Sequence, residues 1–402
     1  MTTATTTQLS ERMSRLAESA TLRMAQLARD VRAQGHDVIS LSIGEPDFDT
    51  PDHIKEAAKK ALDDGFTKYT PVPGLPVLRE AICTKLKRDN GIEVDPSQVV
   101  VSNGAKQSIA NIFLALLNPG DEVVILAPYW VSYSEIVKLA EGKPVILAAD
   151  IEDDYKVSAA QLEAAITDRT KAVLFSSPCN PTGSVYTEEE LKGIAAVVSK
   201  YDNIHIVADE IYEYINFTDK HVSIGSFPEV ADRVITVNGF SKGFAMTGWR
   251  LGYIAAPQWI AKACAKIQGQ VTSGATAFGQ VAGAHALLSD MTPTHQMRAA
   301  FLKRRDMVID LLGQIPGVKV NEPKGAFYIF PDISALFGKK HANGVIATSD
   351  DFCEYLLNTV YVAVVTGSAF GAPNCFRLSY AASEEQLREA IARISKAVAA
   401  LS

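Results

Sequence analysis

Six short apolar runs, rich in β-branched residues, recur through the middle of the chain at 99–102, 122–127, 171–175, 204–208, 234–237 and 251–256. Helical patterns lie between most of them, at 105–117, 131–140, 159–166 and 187–200. Continuous apolar strands are buried on both faces, and parallel neighbours need a crossover between them. The alternation therefore predicts an α/β layer around a mostly parallel sheet. The run at 251–256 follows its predecessor too closely for a helical crossover, so an antiparallel strand can enter there.

The flanks read differently. A helix is expected from about Leu9 to Gln34, ended by Gly35, and then a strand-like run from Val38 to Ile43 that stops at Gly44-Glu45-Pro46. Beyond about residue 290 a long helix (294–313) precedes two strand candidates, 326–330 and 376–380. Ser383 followed by Glu384 and Glu385 gives the last helix an N-cap and an acidic first turn. The division expected is a large unit over 46–290, a smaller α+β unit over 291–402, and a segment over 1–45 that joins the smaller unit.

In open α/β sheets, ligands gather beyond the carboxyl ends of the strands. Five consecutive strand ends carry polar, aromatic or glycine-rich groups. They are Ser102-Asn103-Gly104-Ala105-Lys106-Gln107, then Ala127-Pro128-Tyr129-Trp130, then Ser176-Ser177-Pro178-Cys179-Asn180-Pro181-Thr182-Gly183, then Asp209-Glu210-Ile211-Tyr212, then Asn238-Gly239-Phe240-Ser241-Lys242. Each has an ordinary explanation by itself: a tight turn, a core tryptophan, a helix cap, a solvated lysine. Taken together they describe a site. Gly104-Ala105-Lys106 offers backbone N–H groups at a helix start, which suits a phosphate. Trp130 can stack on an aromatic ring. Asp209 ends an apolar strand, where a carboxylate is costly unless paired, so a cationic partner is expected.

Bulk properties exclude several classes. A formal charge of −7 over 402 residues argues against a general nucleic-acid binder and against a polybasic membrane anchor. The polar, Thr-rich start lacks a signal peptide's basic end and apolar core, and no apolar run is long enough to span a bilayer. Five scattered cysteines form no C-x-x-C pair, so neither a metal site nor a disulfide framework is expected, and a reducing, cytoplasmic setting fits.

The residues from Ser241 to Gly252, reading Ser-Lys-x-x-Ala-Met-x-Gly-x-Arg-Leu-Gly, resemble the lysine-attachment signature of class I aminotransferases. Asn180-Pro181-x-Gly183 and Asp209-x-x-Tyr212 lie upstream in that family's order, and Arg377 resembles its carboxylate-binding arginine. The resemblance covers nearly the whole chain, from Ile43-Gly44-Glu45-Pro46 to Arg377. It implies a three-layer fold type I enzyme that works as a homodimer with shared active sites on small amino-acid and 2-oxo-acid substrates. It implies pyridoxal 5′-phosphate held as a Schiff base on Lys242, whose amine later moves the substrate's proton. Asp209 would face the pyridinium nitrogen, Tyr212 and Asn180 the phenolate oxygen, and Trp130 the ring. Ala105, Ser241 and Arg250 would hold the phosphate, with Tyr69 reaching that of the neighbouring subunit. Arg377 would grip the substrate α-carboxylate, helped by Asn180, Trp130 and the Gly44 backbone.

Asn103-Gly104-Ala105-Lys106-Gln107 further resembles the branch of bacterial aspartate aminotransferases in which this lysine meets the distal carboxylate. The reaction implied is reversible amino transfer from L-aspartate to 2-oxoglutarate. The same branch contains enzymes that transaminate prephenate, for which Arg23 offers a contact to a second carboxylate. A C–S lyase, an aromatic aminotransferase or another fold type I enzyme would share Lys242, Asp209 and Arg377. A DNA-binding regulator built on this fold would need a basic domain for which the roughly 40 residues before Ile43 leave no room.

Overall fold

A computed structural model describes residues 9–402. The part of the N-terminal segment over residues 1–8 lies outside the described residues. In chain order the strands are Ile39–Ser40 (β1), Val99–Ser102 (β2), Glu122–Ala127 (β3), Lys143–Ala148 (β4), Thr170–Ser176 (β5), His205–Asp209 (β6), Val234–Gly239 (β7) and Gly252–Ala255 (β8). Then follow Tyr328–Ile329 (β9), Lys340–His341 (β10), Gly344–Val345 (β11), Val362–Ala363 (β12), Val365–Thr366 (β13) and Phe376–Ser379 (β14).

Seven of these make one sheet in the order β2-β8-β7-β6-β5-β3-β4. Only β8 is antiparallel to its neighbours, the place where the sequence allowed it. Successive side chains of a strand face opposite sides. Val123 and Ile125 accordingly pack with Ile109 and Phe113 of helix Ala105–Leu116, while Val124 and Leu126 pack with Leu191 and Ile194 of helix Glu188–Val198. Burial on both faces makes three layers. Each such aliphatic side chain contributes about 1.5–3 kcal/mol against exposure. Edge strand β4 is not among the runs read from the sequence; Pro144 stands near its start, just before Val145-Ile146-Leu147, and proline is tolerated at a sheet edge.

The expected helix over 9–34 is two pieces, Glu11–Arg15 and Ala20–Ala33. Leu16 and Ser19 are extended, and the Ala17 amide donates to Glu135 Oε2 of helix Ser132–Leu139 at 2.7 Å instead of to its own turn. A tertiary contact thus overrides local helix propensity. The strand expected over 38–43 shrinks to β1, which pairs in parallel with β12, Ile39 opposite Val362. Met24, Ala28 and Leu41 from this N-terminal stretch share a core with Phe301, Phe327, Leu356 and Ile394. The closing helix Glu384–Ala399 starts as expected, with Ser383 Oγ accepting from the Gln386 amide at 3.2 Å.

Candidate active site

The register of the sheet brings the strand ends into a row. Ser102 lies opposite Gly252, Gly252 opposite Gly239, and Asp209 opposite both Val237 and Ser176. Every residue proposed from sequence, except Gly104, Tyr69 and Arg23, lines one cavity of about 390 Å³ above that row. Gly104 forms the turn beneath it. Tyr69 is 98 % exposed and lines none of it.

One end of the cavity is cationic and rich in donors. Helix Ala105–Leu116 starts from Gly104 at φ 81° with no side-chain cap, and the Ala105 and Lys106 amides have no partner among the described residues. A Cβ on Gly252 would stand 2.4 Å from the Ala105 nitrogen, and one on Gly104 would stand 2.5 Å from Arg250 Nη2. Glycine at both positions therefore keeps the amides open with the guanidinium over them. Arg250 takes a left-handed backbone, φ 53°, and its Nη1 donates to the Thr247 carbonyl at 2.9 Å. Strain of this kind at a non-glycine residue is retained where the surrounding structure imposes it. Buried Ser241 adds a hydroxyl.

At the floor, Lys242 Nζ donates to the Gly44 carbonyl at 2.5 Å. Burial, then the nearby charge of Arg377, pulls its pKa down to about 8. Asp209 is 4 % exposed and ends β6. Tyr133 donates to its Oδ2 at 2.6 Å and the Ile211 amide to its Oδ1 at 3.2 Å. Burial pushes its pKa up to about 6 against those hydrogen bonds. Among the described residues Asp209 makes no ion pair; a phenol and an amide hold it, and no protein cation takes the place of the partner expected for it. Tyr133 is the residue the sequence reading missed. Its signal was a third aromatic, three places after Trp130 and just past the strand-end segment singled out.

The far wall holds Arg377, 2 % exposed. Its Nη1 donates to Asn180 Oδ1 at 2.9 Å, its Nη2 to the Ser42 carbonyl at 2.5 Å, and its Nε is buried without a partner. The guanidinium carbon sits 4.5 Å from the Tyr328 ring centre and 4.9 Å from that of Phe370. No carboxylate among the described residues pairs with it. A buried cation without its anion is costly, so this one is poised for an anion from outside. Tyr212 and Tyr328 share a hydroxyl hydrogen bond of 2.7 Å, and Asn180's amide N–H groups have no partner among the described residues. Lys106 Nζ lies 5.0 Å from the Trp130 ring centre, and burial together with Arg250 lowers its pKa. Arg23 lines an adjoining cavity of about 630 Å³ that shares Lys106, Val131 and Ser132 with the first, and stands 3.8 Å from Asp350. Ser19, Thr21 and Leu22 close the mouth, which no sequence signal announced.

These groups fit pyridoxal 5′-phosphate. The capless helix start and Arg250 suit the phosphate, Trp130 the ring face, the Asp209 carboxylate a ring N–H, and the Lys242 amine the aldehyde carbon. Nothing in the cavity disputes this assignment, since its hydrogen-bond donors outnumber the carboxylates that would repel a phosphate.

Residues 36–394 match the family model described as aminotransferase class I and II. The chain is 48 % identical to a probable aspartate/prephenate aminotransferase of Rhizobium leguminosarum bv. phaseoli, over 96 % of this chain and 98 % of that one. It is 47 % identical to an aspartate/prephenate aminotransferase of Cereibacter sphaeroides, over 98 % and 99 %. Among solved structures it is similar to the aspartate aminotransferase of Rhizobium meliloti, with TM-score 0.95, 42 % identity and coverage of 98 % and 100 %. It is also similar to that of Thermus thermophilus with maleate, with TM-score 0.92, 40 % identity and coverage of 97 % and 99 %. The architecture is that of fold type I, and the chain belongs to the class I and II aminotransferases, whose cofactor is pyridoxal 5′-phosphate.

Proposed function

We propose that this enzyme is an aspartate aminotransferase, passing the amino group of L-aspartate to 2-oxoglutarate to give oxaloacetate and L-glutamate. The observation that carries the reading is a single cavity with two cations beside its lysine nucleophile in addition to the phosphate-side Arg250: Arg377 on one wall and Lys106 on another, neither ion-paired among the described residues. Two cations suit a substrate with two carboxylates, and the Thermus relative was solved with maleate, a four-carbon dicarboxylate.

The cofactor supplies an electron-withdrawing ring and carries the amino group between the two half-reactions. The chain's own groups do the rest. Arg377 holds the α-carboxylate bidentately and fixes which face of the α-carbon meets Lys242. With its pKa lowered to about 8, the Lys242 amine gives up its proton more readily than an ordinary lysine, and in its neutral form it can take the α-proton. Asp209, Tyr212 and Asn180 orient the cofactor, and Ala105, Ser241 and Arg250 hold its phosphate. Lys106 meets the distal carboxylate.

Excess aspartate should convert the visible band of the lysine-bound cofactor to the pyridoxamine form, and 2-oxoglutarate should restore it. No conversion would overturn the assignment. A second reading, in which prephenate also serves as acceptor, is favoured by the adjoining cavity with Arg23 and by the names of the relatives. An acceptor panel that includes prephenate tests it.

We also take the chain as a large unit over 46–290 and a smaller one over 291–402 joined by 1–45, supported by the β1–β12 pairing and their shared core. The exposed Tyr69 supports a homodimer in which it reaches the neighbouring phosphate. Five unpaired cysteines support a cytoplasmic setting. No helix among the described residues is long and apolar enough to cross a membrane.

A further inference from the structure

Directly after Asp209 comes Glu210, which does not line the active-site cavity. It is 3 % exposed and enters a buried polar cluster. Its Oε2 accepts from Ser223 Oγ and from Asn90 Nδ2 at 3.1 Å, and lies 3.1 Å from His221 Nε2. Asn90 Nδ2 also approaches Glu213 Oε2 at 2.8 Å. Fully buried Lys85 donates to Glu213 Oε1 and to Asn90 Oδ1, the latter at 2.6 Å.

The local backbone serves this arrangement. After helix Pro76–Lys85 the chain makes a π-type turn over Leu86–Asn90, ended by left-handed Gly91 at φ 68°. The wider turn lets Lys85 and Asn90, five residues apart, reach one another and share Glu213, while Asn90 also reaches Glu210. Such π turns recur at functional sites.

The charges constrain what the cluster is. Glu210, Glu213 and His221 bring ligand atoms within 4.8 Å of one another, but the Lys85 ammonium already occupies the cation's place between Glu213 and Asn90. Two carboxylates and one ammonium leave a net negative charge, and His221 is the group beside them that can cancel it. The charged and titratable groups around it are Glu210 and Glu213 on the turn after β6 and Lys85 on the preceding helix. Beyond these stand Asp89, bonded to Tyr214, and Tyr253 on β8.

We propose that Glu210 is a positioning residue for Asp209 and that a protonated His221 sets how much of its negative charge Asp209 feels. Three side-chain contacts on Glu210, together with the hydrogen bond from its amide to the Val237 carbonyl at 2.8 Å, fix the 209–210 peptide and so the direction of the Asp209 carboxylate. The charge of Glu210 lies one residue from Asp209 and strengthens that carboxylate's hold on a proton. The imidazolium of His221 offsets it. Burial alone would lower the basicity of His221, but the charge and hydrogen bond of Glu210, with Glu213, outweigh burial and raise its pKa above the ordinary value. Glu210 is likewise among the groups that raise Asp209.

The inference rests on Asp209 facing the cofactor, and the test separates the two. The pH midpoint of the visible cofactor band is measured on holoenzyme for wild type, Glu210→Gln, His221→Gln and Asp209→Asn. Removing the negative charge in Glu210→Gln should move the midpoint down, and removing the positive charge in His221→Gln should move it up, each by about half a pH unit. Damage to the fold would move both in one direction, so opposite signs mark the electrostatic role. Shifts of the same sign, or none, overturn the proposal. If Asp209→Asn also leaves band and midpoint unchanged, it is the reading of Asp209 that fails. Should Glu210→Gln not fold, histidine-selective ¹⁵N NMR of wild-type holoenzyme decides: a neutral His221 at pH 7 overturns the proposal, and an imidazolium supports it.

Discussion

Two sets of buried charges lie on either side of one strand end, and they are built on opposite rules. Behind β6, Lys85, Glu210, Glu213 and His221 are tied together by Asn90 and Ser223, and their charges match once His221 is protonated. In the cavity, buried Arg377 and Asp209 and half-buried Lys242 have no ion pair among the described residues, and desolvation moves the pKa of each toward its neutral form. A matched set holds a structure together. An unmatched set destabilises the bare fold and is retained because cofactor and substrate bring the missing charges. The two sets should therefore answer substitution in opposite ways.

The largest effect is expected at Lys242. Lys242→Ala should remove the lysine-bound cofactor band and lower turnover by roughly 10⁴-fold, while leaving thermal stability of the cofactor-free chain intact or raised. Retention of the band would end the covalent assignment. Next, Arg377→Ala should lower kcat/KM for aspartate by about 10³-fold, matching the roughly 4 kcal/mol lost when a buried charge loses its partner. A steady-state comparison of both amino donors reads this directly.

On the matched side, Lys85→Met should destabilise the fold by about 3–5 kcal/mol by leaving Glu213 buried and unpaired. A denaturant midpoint equal to wild type would erase the contrast between the two sets. Asp209→Asn should do the reverse in the cofactor-free chain. The folded pKa of Asp209, about 6, lies above the ordinary 3.8, so the folded state binds this proton more tightly than the unfolded one. Its stabilising contribution is present below pH 3.8 and is lost as pH rises through about 6. At pH 7 the asparagine variant should thus be more stable, by up to about 3 kcal/mol, with a flatter dependence of melting temperature between pH 4 and 7. The smallest effect is expected at Lys106, at the cavity's rim. Lys106→Ala should cost dicarboxylic donors about tenfold in kcat/KM and spare alanine; equal losses would point to the phosphate instead.

Much of this site was legible because its parts sit at strand ends, where an apolar run breaks into polar residues. Asp209 after Ile204–Ala208 and Lys242 after the 234–237 run are visible that way, and glycines 104 and 252 mark where backbone must come close. Tyr133 was less visible, since a tyrosine inside a helical pattern reads as core until Asp209 is known to lie 2.6 Å away. The break in the N-terminal helix was hidden because Leu16 to Ser19 carries no strong breaker, and it is the tertiary bond from Ala17 to Glu135 that opens it. Strands of two residues, such as β1 and β12, are too short to leave a periodic pattern.

The sequence by itself determined the alternating α/β layer, the order of the strand-end groups and the chemistry available to them, because period and residue type are local properties. Tertiary structure alone decided which buried charges have partners. Glu210 and Asp209 are adjacent acids in the chain, indistinguishable by composition. One meets Asn90, Ser223 and His221, brought from 120, 13 and 11 residues away, and the other meets a phenol and an open cavity. Desolvation makes that difference in company decide whether a carboxylate is structural or poised to act.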